Sequence, residues 1–402
     1  MTEPTLSEIT AKIRDSETGP FYLIDFDGIE NSIMRLKSAF DADFKKVRLA
    51  YSFKTNSLQA ITTFMHSKSM GAEVVSGQEL EWALSDNFEP NNIYFDGPVK
   101  SKKEHKRAAE LNVNIQVDSV QELIDLLEIT SDPSKLKVGA RLSMPYKNKI
   151  NSRFGLTRSE FKEATTIMKR TGISFSGLHL HSGSNITNIN QYRESIMSCI
   201  DCITETWHEL SWIDFGGGFP ANTALANESE ELPTPEAFSS CIKSIISKKN
   251  LSLNNKTVVI EPGRCLVEDN GLLLARVEQI KKREDRNIVV TNAGLNLVKS
   301  MHSWYHPVIF LRQEIDEEQS TPYEVYGCNC FESDLIIDEL EGPPSDLRIG
   351  DWIAIGSTGG YDMQNFNAWT QPYPSIYGSS REGIKKLSGC LSPRQMRQNQ
   401  HR

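Results

Sequence analysis

A lysine closes the apolar run VRLAYSFK at residues 47 to 54, and an amine there is a candidate nucleophile toward a carbonyl carbon. Four other groups stand out with Lys54. Glu261 ends a second apolar run, VVIEPGR, with Arg264 three residues on; His179 and His181 alternate along SGLHLH; Gly216, Gly217 and Gly218 follow WIDF; Cys328 and Cys330 lie in GCNC. A glycine run after a strand lets backbone N–H groups approach an anion, because no side chain intervenes. Each feature also has an ordinary reading: a lysine snorkelling from a strand end, a surface Glu-Pro turn, a simple glycine turn, a buried inert thiol. His179 and His181 share a strand face, but the sequence places no third ligand beside them. The CxC has no second pair at zinc spacing, so no metal is expected. Cys199 and Cys202 form a CxxC inside the helical pattern from Tyr192 to Trp207, where such spacing reflects packing.

The elements that must position these groups follow from periodicity. Alternation puts Val47, Leu49, Tyr51 and Phe53 on one face and Ala50, Ser52 and Lys54 on the other. A strand of a closed α/β barrel reads this way, bulky side toward the helices and lysine at the carboxyl end, where barrel chemistry sits. Eight such runs, VRLAYSF, AEVVS, NIYFDG, NIQVD, VGARLS, SGLHLH, WIDFGGG and VVIEPG, alternate with helical segments such as LQAITTFMHSKSM and VQELIDLLEI. An open doubly wound sheet alternates too. The barrel is preferred because polar residues cluster at the strand ends: Lys54, Ser76, Asp96, Asp118, Arg141, His181, Gly216 to Gly218 and Glu261. A barrel gathers all those ends on one face. After Arg264 the text changes to short β-type runs, and PFYLIDFD near the amino terminus reads as a strand that joins them. The expected organisation is a (β/α)8 barrel over residues 27–265 and an all-β domain built from 1–26 and 266–402. The last dozen residues, LSPRQMRQNQHR, read as loose.

Bulk properties agree with a two-domain chain of 402 residues. Lysine plus arginine number 44 against 53 aspartates plus glutamates, a net charge of −9 without a long basic run. Nucleic acid and anionic membrane are therefore not expected as main partners. The start, MTEPTLSEITAKIRDSE, has neither a basic cluster nor an apolar stretch, and no run of about 18 apolar residues occurs. Seven scattered cysteines suit a reducing compartment. The expectation is a soluble cytoplasmic protein.

The segments YSFKTN, GAEVVSGQEL, GLHLHSGSNI, DFGGGFP, EPGR, GCNCFESD and GGY occur in the order, and with similar spacing, found in one family. From Pro20 to about Asn367 the chain resembles the alanine-racemase-fold decarboxylases that use pyridoxal 5'-phosphate, among them diaminopimelate, ornithine and arginine decarboxylases. The resemblance implies that cofactor and a small amino acid substrate. It makes Lys54 the residue that forms an imine with the cofactor aldehyde, and a dehydrated strand-end pocket would give the lowered basicity such imines need. Glu261 would contact the pyridine nitrogen and keep the ring protonated and electron-accepting. His181 would stack on the ring. Gly216, Gly217, Gly218, Ser184, Arg264 and Tyr361 would surround the phosphate, and Glu73 with Arg141 would support the lysine. Cys330 would come from a partner subunit and return a proton to the α-carbon, which implies a homodimer with shared active sites.

Departures from the family concern the substrate. Relatives follow the cysteine with an acid that reads the far amine; here the residue is Phe331, and Glu332 would need a shifted loop to replace it. No arginine lies between Ala293 and Trp304, where diaminopimelate enzymes hold the distal carboxylate, although Lys299 and His302 are present. The stretch from Tyr361 to Asn367 is also shorter than usual. Phe331, Glu332, Lys299 and Tyr361 are thus expected to read a different substrate, a modified amino acid with an acidic or bulky tail as in siderophore-type decarboxylases, with Lys147, Lys149 and Lys299 as available cations. A racemase shares the barrel and lysine, but racemases of this fold place arginine at the pyridine nitrogen where this chain has Glu261. A catalytically inactive, decarboxylase-like regulatory protein would have lost the cofactor contacts that this chain keeps.

Overall fold

The structure, a computed structural model, describes residues 3–14, 16–145, 151–201, 203, 205–224, 231–284, 286–311, 323–340, 347–368, 370–390, 392, 394, 395 and 397. The chain forms two compact units, Ile33–Pro220 with Ser229–Cys265, and Met1–Ser32 with Ala221–Glu228 and Leu266–Arg402. The strand β1 (Phe21–Asp25) belongs to the second.

The first unit is a closed barrel of parallel strands β2 (Val47–Ser52), β3 (Gly71–Val74), β4 (Ile93–Phe95), β5 (Asn114–Val117), β6 (Lys137–Arg141), β7 (Gly177–His179), β8 (Trp212–Asp214) and β9 (Thr257–Ile260). The ring closes where β9 pairs β2, with Val47 opposite Val258. The inward face predicted for β2 is the observed one: Ala50 packs in a buried cluster with Tyr94, Trp212 and Val259. Tyr94 meets Trp212 edge-on at 5.4 Å between centroids. The indole demands glycine from its neighbours, since a Cβ on Gly139 or Gly177 would fall 2.2 or 2.0 Å from Trp212 ring atoms. One layer on, the interior turns polar, with Gln116 Nε2 donating to Asp214 Oδ2 at 2.9 Å. The apolar plug thus sits at one end and the ionisable groups at the other.

Helix starts fix where each strand end points. Ser76, Ser101, Ser119 and Thr157 cap their helices by accepting the N–H three residues on, and Ser101 with Glu104 and Thr157 with Glu160 complete capping boxes. Each cap stabilises its helix by about 1 kcal/mol. Ser76, read from sequence as a strand-end residue of the chemical face, is therefore a structural cap.

The second unit is a nine-stranded mixed sheet centred on β10 (Gly271–Lys282). Its other strands are β11 (Asn287–Thr291), β12 (Val308–Phe310), β13 (Tyr323–Tyr326), β14 (Leu335–Leu340), β15 (Trp352–Ile355), β16 (Ser375–Ser380) and β17 (Gly383–Ser388). The amino-terminal strand joins as expected: β1 lies between β10, antiparallel, and β16, parallel. Phe21, Leu23, Leu274, Trp352 and Tyr377 form its core with Leu6 and Ile13. Those last two sit on a helix, Glu3–Arg14, that the sequence reading did not identify, as it also overlooked β16 and β17. Leu6 and Ile13 are one heptad apart in a mostly polar segment, which hides the stripe. Part of YHPVIFLRQ, one of the short β-type runs after Arg264, and most of the terminal LSPRQMRQNQHR lie outside the described residues. No described helix is long and apolar enough to cross a membrane.

Candidate active site

Lys54 is not on β2 itself. It occupies a single 3-10 turn, Phe53–Thr55, directly after the strand. Tyr51 braces that turn by donating its hydroxyl to the Asn56 carbonyl at 2.9 Å. The Lys54 amine meets Glu73 Oε1 at 2.5 Å, and Ser52 donates to Glu73 Oε2. Ser52 and Glu73 are register partners across β2 and β3, so alternation aims both inward. Burial, followed by the charge of Asp96, pushes the Glu73 carboxyl well above its ordinary range, and the lysine opposes that rise. The Lys54 side chain is 37% exposed and ion-paired, which corrects the expectation of a dehydrated lysine.

Arg141 was paired with Glu73 in the sequence reading; the structure gives it other partners. Its Nη1 lies 3.4 Å from Asp96 Oδ2 and its Nε 3.9 Å from Asp118 Oδ1. His179 extends the network, with Nδ1 3.6 Å from Asp96 Oδ2 and Nε2 3.2 Å from Glu261 Oε2. Burial raises the Glu261 carboxyl, but His179 outweighs it and leaves this acid below its usual range. The neighbouring Asp214 moves the other way, raised by burial and by Glu261. The two neighbouring acids are thus pushed in opposite directions.

The glycine run packs against this network. Gly216 and Gly218 have φ of +68° and +90°, and a Cβ on Gly217 would fall 2.3 Å from the Glu261 carbonyl. The sequence reading aimed all three N–H groups at an anion. Two of them are engaged within the protein: Gly216 donates to Asp214 Oδ1 at 2.8 Å and Gly217 to His181 Nδ1 at 3.2 Å. A ring nitrogen that accepts is a neutral imidazole. Burial, then the positive charge of Arg141, pushes His181 down to about 3. His179, His181 and Glu261 also bring one ligand atom each within 4.8 Å, supplying the third ligand that the sequence had not placed. His181 Nδ1 already serves Gly217 and His179 Nε2 faces Glu261, which is acid–base pairing within the site.

His181 lines a cavity of about 830 Å³ with Lys54, Asp96, Arg141 and Ser184 on its wall. Met144, Ser152, Arg153 and Phe154 line it too. Pyridoxal phosphate fits these residues on two observations. Glu261 Oε1 is buried without a hydrogen-bond partner, an acceptor suited to a protonated ring nitrogen. The glycines beside His181 leave no room for a side chain, since a Cβ on Gly216 would fall 2.7 Å from His181 Nδ1 and one on Gly218 2.3 Å from the Gly183 carbonyl.

The remaining candidates lie on the second unit, apart from Arg264, which is buried at the start of the short helix Arg264–Val267. Cys330, Phe331 and Glu332 are exposed on the turn between β13 and β14. That turn wraps the buried Asp334 carboxylate, which accepts from Leu295 N at 2.7 Å and Asn329 N at 2.8 Å. Lys299 is exposed on the 3-10 turn Lys299–His302, and Ser300 N ties it to Asp362 Oδ1 at 2.9 Å, next to Tyr361. Tyr361 holds φ +67°, left-handed without being glycine. Lys147 and Lys149 lie outside the described residues. The sequence places Ser52 on the lysine's face, Asp96 at a strand end and His179 beside His181, but gives none of the three a role; the structure joins them to the site through Glu73, Arg141 and Glu261.

Residues 29–268, more than half of the chain, match the family described as "Pyridoxal-dependent decarboxylase, pyridoxal binding domain". The diaminopimelate decarboxylase of Archaeoglobus fulgidus is 27% identical over 371 residues, covering 88% of this chain and 85% of that protein. The one from Methanothermobacter thermautotrophicus is 28% identical over 382 residues, covering 90% and 87%. The crystal structure of Helicobacter pylori diaminopimelate decarboxylase complexed with L-lysine shares the fold, with a TM-score of 0.85 and 24% identity over 98% of this chain and 99% of that one. The paired lysine, the unsatisfied carboxylate oxygen and the family match converge: the chain belongs to the pyridoxal-dependent decarboxylases and acts as an amino acid carboxy-lyase that uses pyridoxal phosphate.

Proposed function

We propose that this enzyme decarboxylates a modified amino acid, a siderophore-type or otherwise conjugated diamino acid with an acidic tail, in preference to free diaminopimelate. The observation that carries the reading is Phe331, 53% exposed at the position where related decarboxylases place an acid for the far amine. An exposed aromatic there offers no charge to an ammonium.

Bound at the barrel site, pyridoxal phosphate supplies an electron-withdrawing ring that accepts the electrons released as the α-carboxylate leaves. Lys54 is the amine to hold its aldehyde, and Glu73 accepts the proton-bearing end of that amine. Glu261, kept ionised by His179, offers Oε1 to the ring nitrogen. His181 is neutral and fixed by Gly217, so it presents a ring face without adding positive charge. Cys330 returns the proton to the α-carbon from a second copy of the chain, which makes the working form a homodimer. In support, Cys330 is exposed on its own unit. All six described cysteines carry thiols, in keeping with a reducing cytoplasm.

The test is carbon dioxide release by the purified enzyme loaded with pyridoxal phosphate. Free diaminopimelate, ornithine and lysine are compared with side-chain-conjugated diamino acids of both configurations. A higher kcat/KM for conjugates supports the proposal. Ordinary turnover of diaminopimelate or ornithine with no preference for a conjugate defeats it.

A further inference from the structure

Building on that proposed function, we infer that Arg153 is the cation that reads a carboxylate at the far end of the substrate side chain. The cavity wall carries Lys54, Arg141 and Arg153 against one acid, Asp96. Lys54 is paired with Glu73, and Arg141 with Asp96 and Asp118. Arg153 is exposed, and among the described residues it makes neither an ion pair nor a hydrogen bond.

Its guanidinium is nonetheless held in place. It stacks 3.9 Å over the Phe154 ring, whose centroid also lies 4.7 Å from the Arg141 guanidinium carbon. A guanidinium held against an aromatic ring keeps its N–H groups for another partner, and a carboxylate can take two of them in parallel. The backbone beneath is braced: Ser152 N donates to Met144 O at 2.8 Å, Leu156 N to Arg141 O at 2.8 Å, and Gly155 N to Asp118 Oδ1 at 3.0 Å. Gly155 sits at φ +80°, where a Cβ would fall 2.7 Å from the Leu142 backbone, so this path is specified by the residue type.

The placement complements what the second unit lacks. From Ala293 to Trp304 there is no arginine, only Lys299 and His302, and Arg153 adds the planar guanidinium that those side chains do not offer a carboxylate. A cavity of about 830 Å³ accommodates a conjugated side chain beside a cofactor.

The experiment uses the holoenzyme with two chain-matched probes, Nε-succinyl-lysine, which ends in a carboxylate, and Nε-butyryl-lysine, which does not, in both configurations. The wild type is expected to favour the succinyl compound. Arg153→Gln is expected to raise its KM about 30-fold, with kcat nearly unchanged and no effect on the butyryl compound. Arg153→Lys restores part of the loss. Equal turnover of both probes or of neither, an equal loss on both in Arg153→Gln, or weakened pyridoxal phosphate binding in a fluorescence titration overturns the assignment. If the wild type shows no preference for conjugates over free amino acids, the proposed substrate class fails. If that preference holds but Arg153→Gln treats both probes alike, only the role of Arg153 fails.

Discussion

The barrel and the second unit present their candidate residues under opposite physical conditions. In the barrel, Glu73, Asp96, His179 and Glu261 are buried, and each is held by a neighbour of defined charge. Changing any one leaves a buried polar partner unsatisfied, so residue identity there is tightly constrained. On the second unit, Cys330, Phe331, Glu332 and Lys299 are exposed on turns whose shape comes from Asp334, Ser300 and Asp362. The turn survives whatever its outward side chains become. The comparison teaches that packing constrains the buried barrel residues far more than the exposed ones of the second unit, which is where the proposed change of substrate is most easily accommodated.

The sharpest break of that contrast is Lys54→Ala, expected to abolish activity together with the visible absorbance of the bound cofactor in a purified sample. Retention of both would refute the assignment of the amine. Next, Glu261→Gln is expected to lower kcat about 1,000-fold in a steady-state assay, because the buried charge acts directly at the ring nitrogen. Cys330→Ala should lower kcat about 100-fold, the scale of one general acid, with little change in cofactor affinity measured by fluorescence titration. Phe331→Glu, an exposed change, should leave kcat within a few-fold while raising kcat/KM for free diaminopimelate about 10-fold relative to a conjugate. If Phe331→Glu damaged kcat as much as Glu261→Gln, the division between reaction and recognition would be wrong.

The smallest effect concerns pH. His181 is depressed to about 3 in the folded barrel, whereas an unfolded histidine titrates near 6.5. Between those values the unfolded chain binds the extra proton, so the histidine's contribution to stability is present above about 6.5 and is lost as pH falls. Relative to His181→Gln, the wild-type apoprotein should lose at most about 1.4 kcal/mol per pH unit below 6.5 in urea denaturation. Parallel curves for the two proteins would show that His181 is not held neutral.

Much of the barrel was legible in the sequence because period-2 alternation, seven strand-end polar residues and a glycine run report the same closed geometry. Ala50 and Ser52 were aimed inward on the alternation of β2 alone, and they point there. The partner choice of Arg141 was not legible, since Glu73, Asp96 and Asp118 come from separate strands and only barrel closure decides which carboxylate lies nearest. The engaged N–H of Gly217 was hidden for the same reason, since His181 reaches it only once β7 and β8 are side by side, whereas the Gly216 bond to Asp214 is a local one, two residues apart, that the spacing allowed. Helix Glu3–Arg14 was overlooked because Leu6 and Ile13 acquire a partner only when β1 has entered the distant sheet.

Borohydride reduction of the loaded enzyme, followed by digestion and mass spectrometry, tests the central claim most directly. The account predicts the reduced cofactor on the peptide containing Lys54 and on no other. Cofactor attached to a different lysine, or to none, would contradict it.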